Sequence, residues 1–416
     1  MTRIASTFAP LQHRDFRRLW TGTFFATAGQ WIQQATLGWV VYDVTASASV
    51  LGAVLGIRAI PMLLLAPLTG VVADRFDRRY ALAASQFLMV IISIALAALL
   101  ALNQILVWHL FGFSVVSGVS AVFDRTLRST LVFHSVPRND AANAVALNSI
   151  AFSVTRAVGP AVAGFLIGSV GAAWNFAIQS LLYLGVTFAA LSVSAPPPAP
   201  RRTAASSWWA EMKEGMHFTL TDPIARMMVV LGLVPPILLI PSLGALMPVF
   251  AADVFRSGPE GLGLLLSAVG VGGILGGLVA AWIARYDHTG LIQTLALAVF
   301  AFSLIAFAFS PDLATAVGFL VVAGVAEMVH HTVHVTTLQM CAPEHMRGRV
   351  ASLLPVFPAF ISVGALIAGV CADLIAPDLV VILFAVLALA VVITAWVRST
   401  ALREVRMSGL ITGENK

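Results

Sequence analysis

Charged side chains are scarce in this chain, and that scarcity excludes most soluble folds. Asp, Glu, Lys and Arg make up 10% of the 416 residues, whereas 59% of the residues are apolar. Residues 80–123 contain none of these four charged residue types. A run of that length is too apolar to cover a soluble domain, but it is long enough to cross a bilayer twice. The composition therefore places the chain among proteins with several membrane spans.

Cysteine is also rare, with only Cys341 and Cys371 in the whole sequence. Two such distant cysteines form neither a disulfide framework nor a C-x2-C metal pair. The sequence contains no G-x4-G-K-[ST] nucleotide loop and no nucleophile motif, so we expect neither an enzyme nor a bound cofactor or metal. The polar, basic start leads into the first apolar segment without a small-residue cleavage pattern. We therefore expect that segment to be retained as a membrane span.

Apolar segments of spanning length recur along the chain and indicate twelve membrane helices. At ~1.5 Å per residue each segment can cross a ~30 Å hydrocarbon core. Backbone groups in lipid must be paired within the segment, which favours helices over a barrel of short alternating strands. The predicted spans are 19–42, 48–72, 79–102, 105–127, 142–168, 173–194, 226–251, 261–284, 290–309, 313–338, 351–374 and 379–398.

The basic residues lie on one side of these predicted spans. With both termini on the same side, 21 of the 24 Lys and Arg residues fall there, only Arg256 falls on the other side, and Arg58 and Arg156 lie within spans. This asymmetry follows the positive-inside rule and predicts cytoplasmic termini. The basic charge thus reports membrane topology, and we do not expect a nucleic-acid partner.

One long connection divides the spans into six plus six. Residues 195–225 begin with a proline-rich stretch, which is a stiff spacer, and continue with aromatic and charged residues at helical spacing. The second part suits a helix in the cytoplasmic membrane interface, and a solvated linker helix is the alternative. Weakly similar motifs recur at an offset of about 206 residues. We therefore predict bundles at 1–194 and 226–416, related as parallel six-helix repeats.

A compact charged turn joins the second and third spans, with the pattern G-x3-D-R-x-D-R-R between Gly70 and Arg79. This pattern resembles the loop motif of the major facilitator superfamily, whose members are solute transporters. The resemblance implies an all-α membrane protein of twelve helices in two bundles. It also implies a latch that holds the two halves together at the cytoplasmic side, formed by Gly70, Asp74, Arg75, Arg78 and, from the fourth span, Asp124.

The fifth span contains Gly159-Pro160 followed by Gly164, a combination that bends a helix and permits close packing. It is similar to an element of the proton-linked exporters of the superfamily. Further stretches near residues 39–47, 209–223 and 248–261 resemble the enterobactin-exporter branch, which comprises drug and siderophore efflux proteins. The resemblance implies a bacterial inner-membrane exporter that uses protons, contacts lipid and, we expect, acts as a monomer.

Two arginines lie inside predicted spans, where a charge is costly and needs a reason. Arg58 and Arg156 could line a cavity and attract an anionic or polyphenolic cargo. Alternatively, they could hold helices together by pairing with carbonyls or a buried acid. Polar side chains that could contribute to the same cavity are Gln30, Gln33, Gln34 and Asn148.

The tenth span carries Glu327, His330, His331 and His334. Residues four apart share a helix face, so Glu327 pairs with His331 and His330 with His334. A low dielectric favours the protonated form of a carboxyl group, which suits Glu327 as a proton carrier with His331 as a relay. A structural polar cluster and a metal site remain alternatives.

The sequence thus predicts a proton-coupled exporter of a small amphipathic molecule, either a siderophore-like anionic metabolite or a range of hydrophobic drugs. A membrane receptor or an embedded enzyme is a more distant alternative.

Overall fold

The computed structural model describes residues 8–194, 208–351 and 357–412, and these ranges contain helices and turns but no strands. Ten helical stretches among them are long and apolar enough to cross a membrane. The eleventh predicted span holds the shorter apolar stretch Ala359–Leu374, and the first is a helix of 32 residues. The predicted all-helical membrane fold with twelve spans is therefore confirmed.

The six helical spans of the first half follow one another with short turns. Span one ends at Ala46, which adopts a left-handed conformation with φ of 47°. Asp77 caps the start of span three by accepting a hydrogen bond from the amide of Arg79 at 2.9 Å. The bounds are Arg14–Thr45 for span one, Ala48–Ile57 and Ala59–Arg75 for span two, Arg78–Ala101 for span three, Val107–His134 for span four, Ala141–Val170 for span five and Ala172–Leu191 for span six.

Span seven of the second half is broken into pieces because prolines recur along it. Its parts are Pro223–Val234, Ile240–Gly244 and Met247–Val249, with π-helical turns at Pro235–Leu239 and Phe250–Val254. Proline has no N–H for the helical ladder, so prolines inside the span interrupt its regular hydrogen bonds. The remaining spans are Gly258–Ile283, Thr289–Ala308, Leu313–Met340, Phe357–Leu374 and Pro377–Arg398.

Span two is interrupted at Arg58. Pro61 follows three residues later and has no N–H to donate to the carbonyl of Ile57, so the helix ladder lacks a bond at this point. Gly118 of span four lies against the interruption: a Cβ atom there would be 2.5 Å from the carbonyl oxygen of Arg58. The glycine thus lets span four approach the backbone of span two closely.

The chain divides into two compact units, and two spans contribute to both. Most of the first half forms one unit, which also includes Gly258–Ser267 at the start of span eight. The second unit holds most of the second half together with Ser47–Gly56 at the start of span two. Within the first unit, a buried cluster of Leu19, Leu82, Leu127 and Leu131 joins spans one, three and four.

The predicted linker helix is present as Trp208–Thr221. Its Gly215 lies against the backbone of Arg349, so that a Cβ atom would be 2.6 Å from the carbonyl oxygen. The guanidinium of Arg349 also pairs with the carboxylate of Glu214. The helix therefore packs on the short helix Arg347–Ala351, while the side chains of Trp208 and Trp209 and the preceding proline run lie outside the described residues.

Asp287, in the turn after span eight, holds the C-terminal helix Met407–Thr412. Its carboxylate accepts hydrogen bonds from the amide of Ser408 at 2.7 Å and from the hydroxyl of Ser408 at 2.6 Å. The amide of Met407 donates to the carbonyl of Asp287 at 3.0 Å. The hydroxyl and then the amide of Ser408 are the main causes that lower the pKa of Asp287 below its usual range.

Candidate transport site

Arg156 of span five and Trp31 of span one form a contact between a cation and an aromatic ring within the first unit. The guanidinium carbon of Arg156 lies 5.6 Å from the centroid of the Trp31 ring. Phe152, one turn before Arg156, meets the same indole edge-to-face at 5.6 Å. Gly159 permits this approach, since a Cβ atom there would lie 2.8 Å from the Cβ of Trp31. A guanidinium over an indole is attracted by the negative face of the ring.

The indole Nε1 of Trp31 is buried and has no hydrogen-bond partner among the described residues. A buried N–H donor without a partner is costly, and tryptophan normally places it near an acceptor. The Trp31 and Arg156 side chains therefore form a surface that can stack on a ring and donate to an oxygen. The sequence analysis did not predict Trp31 as a site residue. Its position midway along a predicted span, away from the membrane interface, could have indicated it.

Arg58 lies at the interruption of span two, half-buried. Its Nε atom is buried and finds no partner among the residues that the structure describes. The ionisable groups close enough to interact electrostatically include Tyr183 of span six and Arg125 of span four. The predicted position of Arg58 within a span is thus observed, and its guanidinium can serve as a donor to an anion.

The three glutamines of span one occupy different environments. Gln33 is 3% exposed, and its side-chain oxygen accepts hydrogen bonds from Gln179 at 2.7 Å and from the hydroxyl of Tyr183 at 3.1 Å. These contacts join spans one and six, so Gln33 stabilises helix packing rather than presenting its amide to a cavity. Gln30 and Gln34 are half-buried.

Asn148 of span five is half-buried as well, and its Oδ1 atom has no partner within the described part of the chain. Two turns along the same helix lies Arg156. Pro160 then follows inside the continuous helix Ala141–Val170, with no N–H for the carbonyl of Arg156 four residues before it. Gly164 lies against the backbone of Pro259, in the segment of span eight that packs with the first unit.

The predicted cytoplasmic latch is described only in part. Gly70, Asp74 and Arg75 belong to the last turns of span two, but their side chains lie outside the described residues. Arg78 starts span three, and its guanidinium is 3.2 Å from Nε2 of His134 at the end of span four. This contact joins two helix ends at the face where the sequence places the latch.

Asp124 forms a network between spans three and four. Its carboxylate accepts a hydrogen bond from Nε of Arg128 at 3.1 Å and another from the amide of Gln86 at 3.1 Å. Arg128 is 8% exposed, and its guanidinium lies near Gly22 of span one. A buried guanidinium needs a carboxylate partner, so Asp124 and Arg128 act as a unit.

The polar residues of span ten form two pairs that differ in burial. Glu327 is half-buried and His331 exposed, whereas His330 and His334 are 4% and 5% exposed. The two buried imidazoles stack with centroids 5.5 Å apart. Nδ1 of His334 is 3.3 Å from the amide nitrogen of Gln293 in span nine. The two pairs therefore differ in burial, although residues three or four apart are neighbours on a helix surface.

Among the described residues, no group of three or more His, Cys, Asp or Glu side chains is arranged to hold a metal ion. The buried pair of span ten instead leaves Nδ1 of His330 and Nε2 of His334 without partners in the described part of the chain. Glu327 and His331 remain the pair with access to the surface of the unit, which suits proton exchange.

A second residue that sequence reasoning missed is Asp373, near the end of span eleven. Its carboxylate accepts hydrogen bonds from the first two backbone amides of span two. Nothing in the local sequence pairs residues more than 320 positions apart, so only the tertiary fold shows this contact.

The family model described as "Transmembrane secretion effector" matches residues 5–412. The chain belongs to this family of major facilitator transporters. The multidrug efflux pump Tap of Mycolicibacterium fortuitum is 25% identical over 84% of this chain and 87% of that protein. The staphyloferrin A transporter of Staphylococcus aureus is 23% identical over 85% and 88%, and the enterobactin exporter EntS of Shigella boydii is 26% identical over 68% and 67%.

Solved structures share the fold of this transporter. A mutant of the nucleoside transporter NupG superposes with a TM-score of 0.78 at 15% identity, covering 92% of this chain and 99% of that chain. A bacterial homologue of the lysosomal transporter Spinster gives a TM-score of 0.71 at 14% identity, covering 95% and 99%. The predicted superfamily and the prediction of a transporter rather than an enzyme are confirmed.

Proposed function

We propose that this transporter exports a small amphipathic anion across the bacterial cytoplasmic membrane in exchange for protons. The contact of Arg156 with Trp31 carries the proposal, because it combines a fixed cation with an aromatic face inside the membrane-spanning part of the chain. Arg58 supplies a second buried donor from span two. The positive charges of Arg156 and Arg58 would repel a cationic cargo and attract an anionic one.

The aromatic side chains beside Arg156 indicate a cargo with a ring or another flat apolar part. Stacking of a cargo ring on Trp31 or Phe152 contributes about 0.5–1.5 kcal/mol for each aromatic pair, in addition to the contribution of the buried surface area. A charge-assisted hydrogen bond to a guanidinium contributes about 1.5–3 kcal/mol. The relatives named for siderophore transport agree with such a cargo.

Broad drug efflux is the second candidate function. The same apolar and aromatic surface can bind uncharged hydrophobic molecules of varied shape, and Tap is named as a multidrug pump. The two candidates differ in whether the arginines discriminate between cargos. An exporter of anions loses selectivity when they are neutralised, whereas a broad pump keeps the same ranking of cargos.

For the proton we propose Glu327, with His331 one turn nearer the predicted cytoplasmic end of span ten. A half-buried carboxyl group within a span can still reach water and exchange a proton with it. An imidazole four residues away on the same face can pass that proton on. We further propose cytoplasmic termini, from the positive-inside pattern, and a monomeric transport unit.

Transport by the purified protein in proteoliposomes tests the function. A pH gradient is imposed, and uptake is measured for aryl carboxylates or catecholates, for neutral analogues of the same size, and for aryl amines. We expect uphill movement of the anions that a protonophore abolishes. Equal transport of all three classes would favour the drug pump, and chemical conversion of the cargo would refute transport.

A matched variant separates the site from general effects of arginine removal. Arg285, in an exposed turn, stacks on Trp282 with its guanidinium carbon 4.3 Å from the ring centroid. Arg285→Gln therefore removes the same type of contact outside the proposed site. We expect Arg156→Gln, but not Arg285→Gln, to reduce the preference for anions.

A further inference from the structure

Span two begins with a cap that a distant helix provides. The carboxylate of Asp373, near the end of span eleven, accepts a hydrogen bond from the amide of Ala48 at 2.8 Å and from the amide of Ser49 at 3.0 Å. The hydroxyl of Ser47 donates to the same carboxylate at 2.7 Å. Ser47 also accepts from the amide of Val50 at 3.2 Å.

These contacts account for every amide in the first turn of span two. The first helical amides have no intrahelical partner and must be satisfied from outside. Ser47 satisfies Val50 locally, but Ala48 and Ser49 depend on Asp373. An aspartate in the last turn of its own helix is unfavourable, because the C-terminal end of a helix is partially negative. Contact with the partially positive start of span two compensates for this unfavourable position.

Close backbone packing accompanies the cap. A Cβ atom on Gly52 would clash with the carbonyl of Ala365, and one on Gly369 would clash with the carbonyl of Ala48. Small residues of this kind allow helices to approach through their backbones in membranes. The start of span two is therefore held on span eleven both by hydrogen bonds and by packing.

The start of span two, which contacts span eleven, belongs to a different compact unit from the rest of span two. Ser47–Gly56 packs within the second unit, whereas the chain from Ile57 packs within the first. The change occurs next to the helix interruption at Arg58. A helix that is interrupted at this point can change direction without breaking further intrahelical bonds.

We propose that Asp373 is a positioning residue of the transport cycle, which caps span two from span eleven and must release it each time the extracytoplasmic side opens. The proposal rests on the proposed transport function and on the topology, which puts the start of span two and the end of span eleven on the outer face. Without Asp373, the amides of Ala48 and Ser49 lose their hydrogen-bond acceptor in the docked arrangement. Water can solvate these amides in the opened arrangement, so the population of that arrangement increases.

Accessibility of a buried position to a reagent added from outside tests this inference. Ala365 is 4% exposed beneath Gly52, and Ala365→Cys is made in a chain where Cys341 and Cys371 are replaced by serine. A membrane-impermeant maleimide then reports undocking of span two. We expect Asp373→Ala to raise the labelling rate about tenfold, the change in population that loss of an N-cap gives.

Asp312 provides the matched control. It is exposed and caps span ten from within that helix, accepting from the amide of Thr315 at 2.9 Å and from its hydroxyl at 3.1 Å. Asp312→Ala removes a similar cap on the same predicted face, and we expect no change in labelling of Cys at 365. Asp373→Glu should restore slow labelling, because the longer carboxylate can still accept from the amides. Unchanged labelling in Asp373→Ala, or equal acceleration in Asp312→Ala, would overturn the proposal.

A cross-link gives a second test, in which a reversible covalent bond replaces the cap and holds span two on span eleven. In the same serine background, Ser47→Cys with Asp373→Cys can form a disulfide, since the native side chains are in hydrogen-bond contact. Oxidation should abolish export and reduction should restore it. Normal export by the oxidised protein would refute a required release. Labelling is measured without cargo, so an incorrect cargo assignment would not alter the labelling result.

Discussion

The guanidinium of Arg156 lies over the indole of Trp31, 5.6 Å from the ring centroid, and joins span five to span one. Each side chain limits the rotamers of the other, so the cation is presented at a fixed place. Gly159 is required for this arrangement because any side chain there would contact Trp31. The proposed cargo site therefore depends on a glycine as much as on its charged residue.

Neutralising Arg156 should change selectivity more than overall binding. We expect Arg156→Gln to weaken binding of anionic aryl cargos by about tenfold, the loss of one charge-assisted hydrogen bond, with less effect on neutral analogues. Cargo affinity is measured by quenching of tryptophan fluorescence and by competition. Equal losses for all cargos with a lowered unfolding temperature would assign Arg156 to helix packing.

Removing the acceptor of Gln33 should destabilise the first unit. Gln33→Leu leaves Gln179 and the hydroxyl of Tyr183 buried without their acceptor, at a cost of about 2–3 kcal/mol in the free energy of unfolding. The half-buried neighbour in Gln34→Leu serves as the control and should change the unfolding temperature little. Similar unfolding temperatures for both variants would contradict the packing role of Gln33.

The carboxylate of Asp74 is expected to hold the cytoplasmic latch. Asp74→Asn should slow transport about tenfold or more while expression and cargo binding stay near normal, because a destabilised conformation lowers turnover without changing the site. Asp140→Asn, which removes a carboxylate 3.0 Å from Nε2 of His13 on the same predicted face, is the control. Wild-type rates in Asp74→Asn would remove the latch hypothesis.

Glu327 is expected to carry the proton. Glu327→Gln imitates the protonated form, so it should abolish uphill export driven by a pH gradient yet preserve exchange of cargo at equal concentrations. His331→Ala should shift the pH optimum more than the maximal rate. The exposed Glu344 provides a matched Glu→Gln control. Uphill pumping by Glu327→Gln would place the proton site elsewhere, with Asp124 the next residue to test.

The tether of the C-terminal helix should be insensitive to physiological pH. The pKa of Asp287 is lowered by the hydroxyl and amide of Ser408, so the tether contributes fully above the ordinary pKa of an aspartate and is lost only as pH falls through the lowered value. Proteolysis after Arg406 should therefore stay slow from about pH 5 to pH 8 and become rapid in Asp287→Ala. A marked acceleration between about pH 8 and pH 5 in the unmodified protein would disprove this assignment.

Much of the fold was predictable because its determinants are local in the sequence. Uncharged runs must be helical in lipid, so hydropathy alone located the spans. The charged turn after span two and the Gly159-Pro160 element identified the superfamily. The breaks of span seven also follow from its prolines, although their π-helical form became visible only in the structure.

The site was less predictable because spacing fixes only the face of one helix and not the neighbour that covers it. Gln33 and Gln34 are adjacent in sequence, yet only Gln33 is enclosed by Gln179 and Tyr183 of span six. Likewise, spacing does not show that His334 is buried and His331 exposed, because the burial depends on span nine, which brings Gln293 to His334. The sequence by itself determined the helices, their number and their superfamily, since these depend on local hydropathy and motif. The partners of Arg156, Gln33 and Asp373 were decided only by tertiary structure, because each lies on another helix more than 120 residues away along the chain.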